Sequence, residues 1–405
     1  MLPALYGDCF LVRCHDKEKT NVLIDTGFKN TYSKFLKNRL LELSKAGETL
    51  SLLVFTHIDQ DHLLGGIELL KENGHSDNPN IIKIEQIWHN SYRHIQFDKT
   101  GEIQLNDRQQ EILSAIIARG LPVDPTSVNV EHTISARQGT SLAALILKNG
   151  YSWNQNFGGN AIFSDNPIKT KINNEVILTL LSPNKNKLSK LSKFWADEIY
   201  KIGFIDKPTS NNNSIIDDAF EFLLLHEGMV ESDEIEELIS HSCKGFTKIL
   251  QSGKFNNNFV EDKSPTNGSS ISFILNIGNK RLLFLGDSHP LLIEENLAKL
   301  NPSKTSLYFD AIKIAHHGSQ KNTSPSLLKL IDSENYLIST NGNSHSHPDV
   351  ETLARIVSRQ SAKKRKLIFN YPTSVSSLIN DTESMEKYNY VVKISDGNKI
   401  ITLEL

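Results

Sequence analysis

Four times in this chain a short apolar run ends in a group of histidines or aspartates. Leu50-Ser51-Leu52-Leu53-Val54-Phe55 leads into Thr56-His57-Ile58-Asp59-Gln60-Asp61-His62. Arg281-Leu282-Leu283-Phe284-Leu285 leads into Gly286-Asp287, and Ala311-Ile312-Lys313-Ile314-Ala315 into His316-His317-Gly318-Ser319. Tyr336-Leu337-Ile338-Ser339-Thr340 precedes a loop holding His345, His347 and Pro348. Strand ends on one edge of an α/β sheet are where ligands and catalytic groups converge. The repeated pattern therefore predicts an α/β fold whose strand ends build a site.

The first group is the densest, with four potential metal ligands in six residues. Imidazoles mixed with carboxylates suit a divalent ion such as zinc or manganese. So many ionisable groups beside a core strand are costly to bury unless a cation neutralises them.

Bulk properties narrow the classes. A 405-residue chain that is 38% hydrophobic and 22% charged can bury a full core. The net charge of −3 gives no global attraction to nucleic acid or anionic membrane, so a polyanion needs a local basic surface or bound metal. No apolar run approaches the roughly 20 residues of a membrane span, and the N-terminus lacks the pattern of a signal peptide. Cys9, Cys14 and Cys243 form no Cys-x-x-Cys pair, which argues against a disulfide framework or a thiolate zinc site and is consistent with a reducing cytoplasm.

Along the chain, residues 8–14 and 21–25 read as a hairpin and 33–45 as a helix. The strand 50–55 follows, then a helix over 63–73, an alternating strand over 81–88 and a helix over 106–118. Residues 142–147 and 176–181 read as strands. Residues 184–266, rich in Asn, Lys and Ser, read as a helical insertion with helices over 188–200, 216–226 and 231–250. Strands then recur at 270–277, 281–285, 310–315, 336–340 and 366–369, with helices near 290–299, 324–331 and 349–358. The expected domains are thus a catalytic one (1–183 with 267–405) and the insertion (184–266).

As an ordered set, these motifs resemble the metallo-β-lactamase-fold metallohydrolases, which implies an αββα sandwich. The similarity is greatest to the nuclease-like domain of the competence DNA-uptake protein ComEC and its soluble relatives. Thr56 to Gly66 matches Thr/Ser-His-x-Asp-x-Asp-His-x-x-Gly-Gly, and Asn267-Gly268-Ser269-Ser270 matches an Asn-x-x-Ser step. Gly286-Asp287, His316-His317-Gly318-Ser319 and His347-Pro348 match the later motifs. Two positions depart from the wider family: Asp59 stands for its second histidine, and Asn267 for its mid-chain histidine. An added carboxylate hardens the site towards manganese or magnesium.

The resemblance implies that His57 and Asp59 hold one divalent ion, Asp61 and His62 a second, with Asp287 bridging and His347 completing the second site. Asp25 would orient the cluster, and Asp59, Asp61, His316 and His317 would serve catalysis. One of His316 and His317 would bind metal or protonate a leaving oxygen, and Ser319 would contact phosphate. His89 and His289 are weaker candidates, His345 is an alternative to His347, and His15, His75, His94, His132, His226 and His241 read as surface residues. The implied activity is a two-metal phosphodiesterase, foremost a nuclease acting on DNA, of the kind found among antiphage effectors. A small-molecule hydrolase (lactone, thioester or cyclic nucleotide) and a regulatory protein with an inactive site stay open. Lys185 to Lys193 and Lys363-Lys364-Arg365-Lys366 are candidate nucleic-acid tracts, and the insertion a candidate docking element for a protein partner. No membrane partner is expected.

Overall fold

The computed structural model describes residues 1–97, 105–121, 140–204, 214–227, 246–257, 259–303 and 305–405. The chain divides into two compact units. One comprises Cys9–Phe163 and Lys185–Glu231, the other Met1–Asp8, Ser164–Asn184 and Ser232–Leu405. Both mix helices with sheet, as the apolar periodicity predicts. No helix among the described residues is long and apolar enough to cross a membrane.

The first unit holds a four-stranded sheet in sequential order: β1 (Phe10–Arg13), β2 (Asn21–Ile24), β3 (Leu52–Val54) and β4 (Ile87–Trp88). β1 and β2 form the expected antiparallel hairpin, whereas β3 runs parallel to both β2 and β4. Every residue of β3 is buried, the usual state of a parallel strand covered on both faces. Because β2 and β3 are parallel neighbours, Asp25 and Thr56 leave the sheet at the same edge.

The helix Gln60–Asn73 begins one turn earlier than the apolar period suggested, so Asp61 and His62 lie in its first turn. A carboxylate there is favoured by the helix dipole. This helix start packs directly on the turn after β2. Thr26 donates its backbone N–H (2.8 Å) and its hydroxyl (3.0 Å) to the His62 carbonyl, and Gly65 N–H donates to the Gly27 carbonyl at 2.8 Å. A Cβ on Gly65 would fall 2.4 Å from the Thr26 carbonyl oxygen, and one on Gly66 2.2 Å from the Phe55 ring. In an open helix, glycine to alanine gains about 1 kcal/mol. Here the clash is with backbone already fixed by hydrogen bonds, and overpacking costs about 1–3 kcal/mol or more. Gly65→Ala is therefore expected to destabilise the protein despite its better propensity, read as a lower urea midpoint at unchanged slope.

Two sequence expectations fail in this unit. Residues 142–147 are not a strand but the helix Leu142–Lys148. The Ser141 hydroxyl caps it by accepting from Ala144 N–H at 3.1 Å, and Leu142, Ala143, Leu145 and Ile146 form a buried helical stripe. Over 81–88 only Ile87–Trp88 is strand, with an isolated bridge from Ile84 to Leu50.

The helices Lys185–Lys201 and Ser214–Glu227 belong to this same unit. The first buries Leu188, Leu191, Trp195 and Ile199 on one face. The second is buried nearly all round, with Ile216, Ala219, Phe220, Phe222, Leu224 and Leu225 in the core, as befits a helix apolar on every side. Its polar residues are paired. Asp217 accepts from Arg93 Nε and Nη2 at 2.7 and 2.5 Å, and Glu221 faces His89 Nε2 at 2.8 Å. Of the helix expected over 231–250, only the part from Phe246 lies within the described residues, in the helix Phe246–Ser252. His132, His241 and Cys243 lie outside them.

The second unit is built on an eight-stranded sheet. Its strands are β5 (Ile168–Lys171), β6 (Val176–Ser182), β7 (Ser272–Ile277), β8 (Lys280–Phe284), β10 (Ala311–Lys313), β12 (Asn335–Ile338), β13 (Arg365–Phe369) and β14 (Tyr390–Ile394). β9 (Leu307–Phe309) and β11 (Ile331–Ser333) pair separately. The order is β14-β13-β12-β10-β8-β7-β6-β5, parallel from β14 to β8 and antiparallel from β8 to β5. β8, β10 and β12 are parallel neighbours, so the segments bearing Asp287, His316 with His317, and His347 leave the sheet at one edge.

The basic tract at 363–366 does not present four cations to solvent. Arg365 is 1% exposed, and its Nε and Nη2 hold both oxygens of Asp332 at 3.0 and 2.8 Å. Lys363 pairs with Glu334 at 3.0 Å and lies over the Tyr308 ring. Arginine in this bidentate geometry is a structural fastening.

Candidate metal centre

The β2–β3 edge gathers Asp25, Thr56, His57, Asp59, Asp61 and His62. Asp25 takes a left-handed backbone (φ +53°) that turns its buried carboxylate back over the sheet edge. Its Oδ1 accepts from Thr56 N–H and its Oδ2 from the Thr56 hydroxyl, both at 2.8 Å. His62 Nδ1 meets the same Oδ2 at 2.8 Å and must donate, because a carboxylate only accepts. The Thr56 hydroxyl has spent its proton on Asp25, so it accepts from His57 Nδ1 at 3.0 Å.

Both imidazoles are thus protonated at Nδ1 and carry their lone pair on Nε2. Yet His57 Nε2 faces Asp59 Oδ2 at 3.0 Å, and His62 Nε2 faces Asp61 Oδ2 at 3.6 Å. In each pair a neutral imidazole would set an acceptor against an acceptor, so the contact calls for a second proton on the ring or a metal cation between the two groups. The two rings lie 4.2 Å apart, and Asp59 Oδ1 is buried with no hydrogen-bond partner among the described residues. Imidazole and carboxylate donors in this arrangement fit divalent metal, with Asp25 fixing the tautomers from behind.

The β8–β10–β12 edge repeats the pattern. His317 is buried and donates Nδ1–H to the Ser339 carbonyl at 2.9 Å, leaving Nε2 3.5 Å from Asp287 Oδ2. His316 Nδ1 lies 3.0 Å from Asn322 Oδ1 and its Nε2 3.9 Å from Asp287 Oδ2. Asn322 Nδ2 donates to Asp262 and to the Asp287 carbonyl, so Oδ1 is the acceptor and His316 Nδ1 the donor. Both histidines have positive φ, a backbone bend that turns the two rings towards Asp287. Asp287 itself is anchored by its N–H donating to Ser270 Oγ at 2.9 Å.

Behind His316 sits Asp262, which also accepts from Asn267 Nδ2 at 2.8 Å. Burial alone would raise the Asp262 pKa. The charge of His316 and hydrogen bonds from Ser264, Asn322 and Asn267 outweigh it and hold the carboxyl below its ordinary value. His347 is buried, its ring 5.0 Å from that of His316 and its Nδ1 3.7 Å from Asp349 Oδ2. Burial lowers its pKa, with Asp349 opposing. His345 is exposed, with its ring 6.4 Å from His316.

Asn267 therefore supports His316 through Asp262. Ser319 is buried and its Oγ accepts from Lys321 N–H at 3.2 Å, so its hydroxyl faces its own loop. His289 lies 3.8 Å from Asp262. His89 is committed to Glu221 in the interior, and His94 is buried, contrary to the surface reading. Sequence reading missed Thr56, Asp262, Asn322 and Asp349 as supports. It also missed Asp8 and Lys313, although a lysine inside an apolar strand is itself a signal of a buried charge partner.

No curated protein matches this chain. Residues 2–125 match the family model of the Metallo-beta-lactamase superfamily, a stretch that contains Asp25 and His57 to His62 and ends before Asp287. That superfamily consists mostly of metal-dependent hydrolases that typically bind divalent metals. Over residues 2–125 this chain is similar to that superfamily, and its mixed α/β content agrees with a metallo-β-lactamase fold.

Proposed function

We propose that the protein is a dinuclear metal-dependent phosphodiesterase that cuts nucleic acid, foremost DNA. The observation that carries the metal reading is the pair of imidazole lone pairs aimed at carboxylates, His57 at Asp59 and His62 at Asp61. Asp59 adds the anionic, hard-oxygen character that favours an ion such as manganese or magnesium. Two such ions supply the charge that binds a phosphate and lowers the pKa of an attacking water from about 15.7 towards 7.

In the proposed ligand set His57, Asp59, Asp61 and His62 would hold divalent metal, with Asp287 and His347 proposed as further ligands. Asp25 and Thr56 hold the imidazole tautomers. His317 is pinned to the Ser339 carbonyl and suits a fixed ligand. His316 is the more exposed of the two, with Asn322 and Asp262 behind Nδ1, and suits donation of a proton to a leaving oxygen. The exposed lysines Lys190 and Lys193 are proposed to contact the nucleic-acid backbone, in which case binding weakens steeply with salt. A protein partner is proposed to meet the 184–266 segment on the solvent face of Lys185–Lys201.

The test combines elemental analysis with cleavage of plasmid, linear DNA and RNA in manganese, zinc or magnesium, comparing wild type with the Asp61→Ala/His62→Ala double variant. Metal-dependent DNA cleavage, lost together with bound metal in the variant, is the expected result. Metal binding with hydrolysis of a lactone or thioester but no nucleic acid would place the protein among small-molecule hydrolases. Cleavage unaffected by the double substitution would show the site to be elsewhere.

A further inference from the structure

Lys313 is the last residue of β10, between the parallel neighbours β8 and β12, and is 2% exposed. Burying an ammonium costs several kcal/mol unless it is paired and fully hydrogen-bonded. Its Nζ forms an ion pair with Asp8, donates to the Gly286 carbonyl at 3.0 Å and lies 3.5 Å from Asp287 Oδ1. Asp8 and Asp287 are equally buried, at 1% and 2% exposure. Asp8 also faces His317 Nδ1 at 3.5 Å through Oδ1.

The two oxygens of Asp287 therefore have different neighbours. Oδ1 faces the Lys313 ammonium, and Oδ2 faces His316 and His317 at 3.9 and 3.5 Å. The Gly286 carbonyl, one residue before Asp287, is held by the same ammonium, so backbone and carboxylate are fixed together. We infer that Lys313, anchored by Asp8, is a positioning residue that fixes the carboxylate of Asp287 and directs Oδ2 to the metal. The inference rests on the metallohydrolase reading and adds to it a fixed internal cation that sets the orientation of one ligand.

Without the ammonium, Asp287 can rotate, and Asp8 is left as a second buried anion beside it. Supporting groups behind metal ligands typically contribute about 10–100-fold in metal affinity. The test measures Co²⁺ binding and the visible Co²⁺ spectrum for wild type, Lys313→Met, Asp8→Asn and the Asp8→Asn/Lys313→Met double variant, with thermal unfolding of each metal-free protein. The double variant removes both charges together, so it separates loss of folding from loss of positioning.

Lys313→Met is expected to weaken Co²⁺ binding by about 10–100-fold and to alter the Co²⁺ spectrum. The double variant is expected to unfold near the wild-type temperature yet keep the weakened affinity and altered spectrum. Recovery of wild-type affinity and spectrum in the double variant would overturn the inference, because Lys313 would then serve only to neutralise Asp8. An unchanged spectrum and affinity in Lys313→Met would overturn it as well. A wild-type protein that binds no Co²⁺, Zn²⁺ or Mn²⁺ would instead overturn the metallohydrolase reading together with it.

Discussion

Asp25→Ala should weaken metal binding by about 10–100-fold and cost about 3–5 kcal/mol of stability, although Asp25 is not in the proposed ligand set. The carboxylate accepts three hydrogen bonds, from Thr56 N–H, the Thr56 hydroxyl and His62 Nδ1, all at 2.8 Å and all buried. Removing it strands three donors at once, each costing about 1–3 kcal/mol when left unsatisfied and less than additive in sum. It also releases the tautomers: without Asp25 the Thr56 hydroxyl is free to donate to His57 Nδ1, which would move that proton to Nε2, where a metal must bind. Asp25→Asn is the informative companion, because asparagine tolerates the left-handed backbone and still offers one acceptor. It should keep most of the stability while losing metal affinity. Calorimetric metal titration alongside urea unfolding separates the two effects. Equal metal affinity in wild type and both variants would show that Asp25 plays only a structural part.

His94 should make the first unit acid-sensitive. It is 8% exposed, accepts from Ser91 N–H at 3.1 Å through Nδ1 and packs edge-on against Trp153. Burial, with smaller contributions from the charges of His89 and Arg93, pushes its pKa down to about 3 from 6.5. The folded state thus keeps His94 neutral while the unfolded chain protonates it below about 6.5. Stability from this residue is complete above that pH and falls by up to about 1.4 kcal/mol per pH unit as the pH drops towards 3. Asp218 runs the other way. Burial raises its pKa to about 6 from 3.8, so the folded state takes up a proton earlier than the unfolded one and gains stability as the pH falls from about 6 to 4. Comparison with His94→Gln isolates the histidine. Urea unfolding at pH 7, 5.5 and 4.5 should show the variant losing less stability than wild type across that range. Parallel pH profiles for the two proteins would refute the assignment.

Much of this architecture was legible because it rests on local pattern. The buried run before Thr56, the periodic helix after Asp61 and the Gly65-Gly66 pair each reflect a short-range constraint. The same holds for the strands that end at Asp287, His316 and His347. What escaped reading depends on partners distant in sequence. Lys313 meets Asp8 some three hundred residues away, and Asp262 reaches Asn322 and His316 across two loops. Arg365 looks like part of a basic surface tract until Asp332 is found beneath it. Residues 142–147 failed for another reason. A six-residue apolar run fits a buried strand as well as a buried helix, and only the cap at Ser141 decides between them.

The helix Ser214–Glu227 carries a practical consequence for anyone trimming this polypeptide. By composition its neighbourhood looks like an insertion that could be cut away to leave a minimal domain. Yet Phe220 lies 5.4 Å from Tyr92 and 5.7 Å from Trp195, Asp217 neutralises Arg93, and Glu221 meets His89 Nε2 at 2.8 Å. A shortened chain without residues 185–227 would bare the Tyr92 ring to water and leave Arg93 without its buried counter-ion. Such a truncation should yield aggregates on size-exclusion chromatography, so the smallest workable chain must keep this stretch.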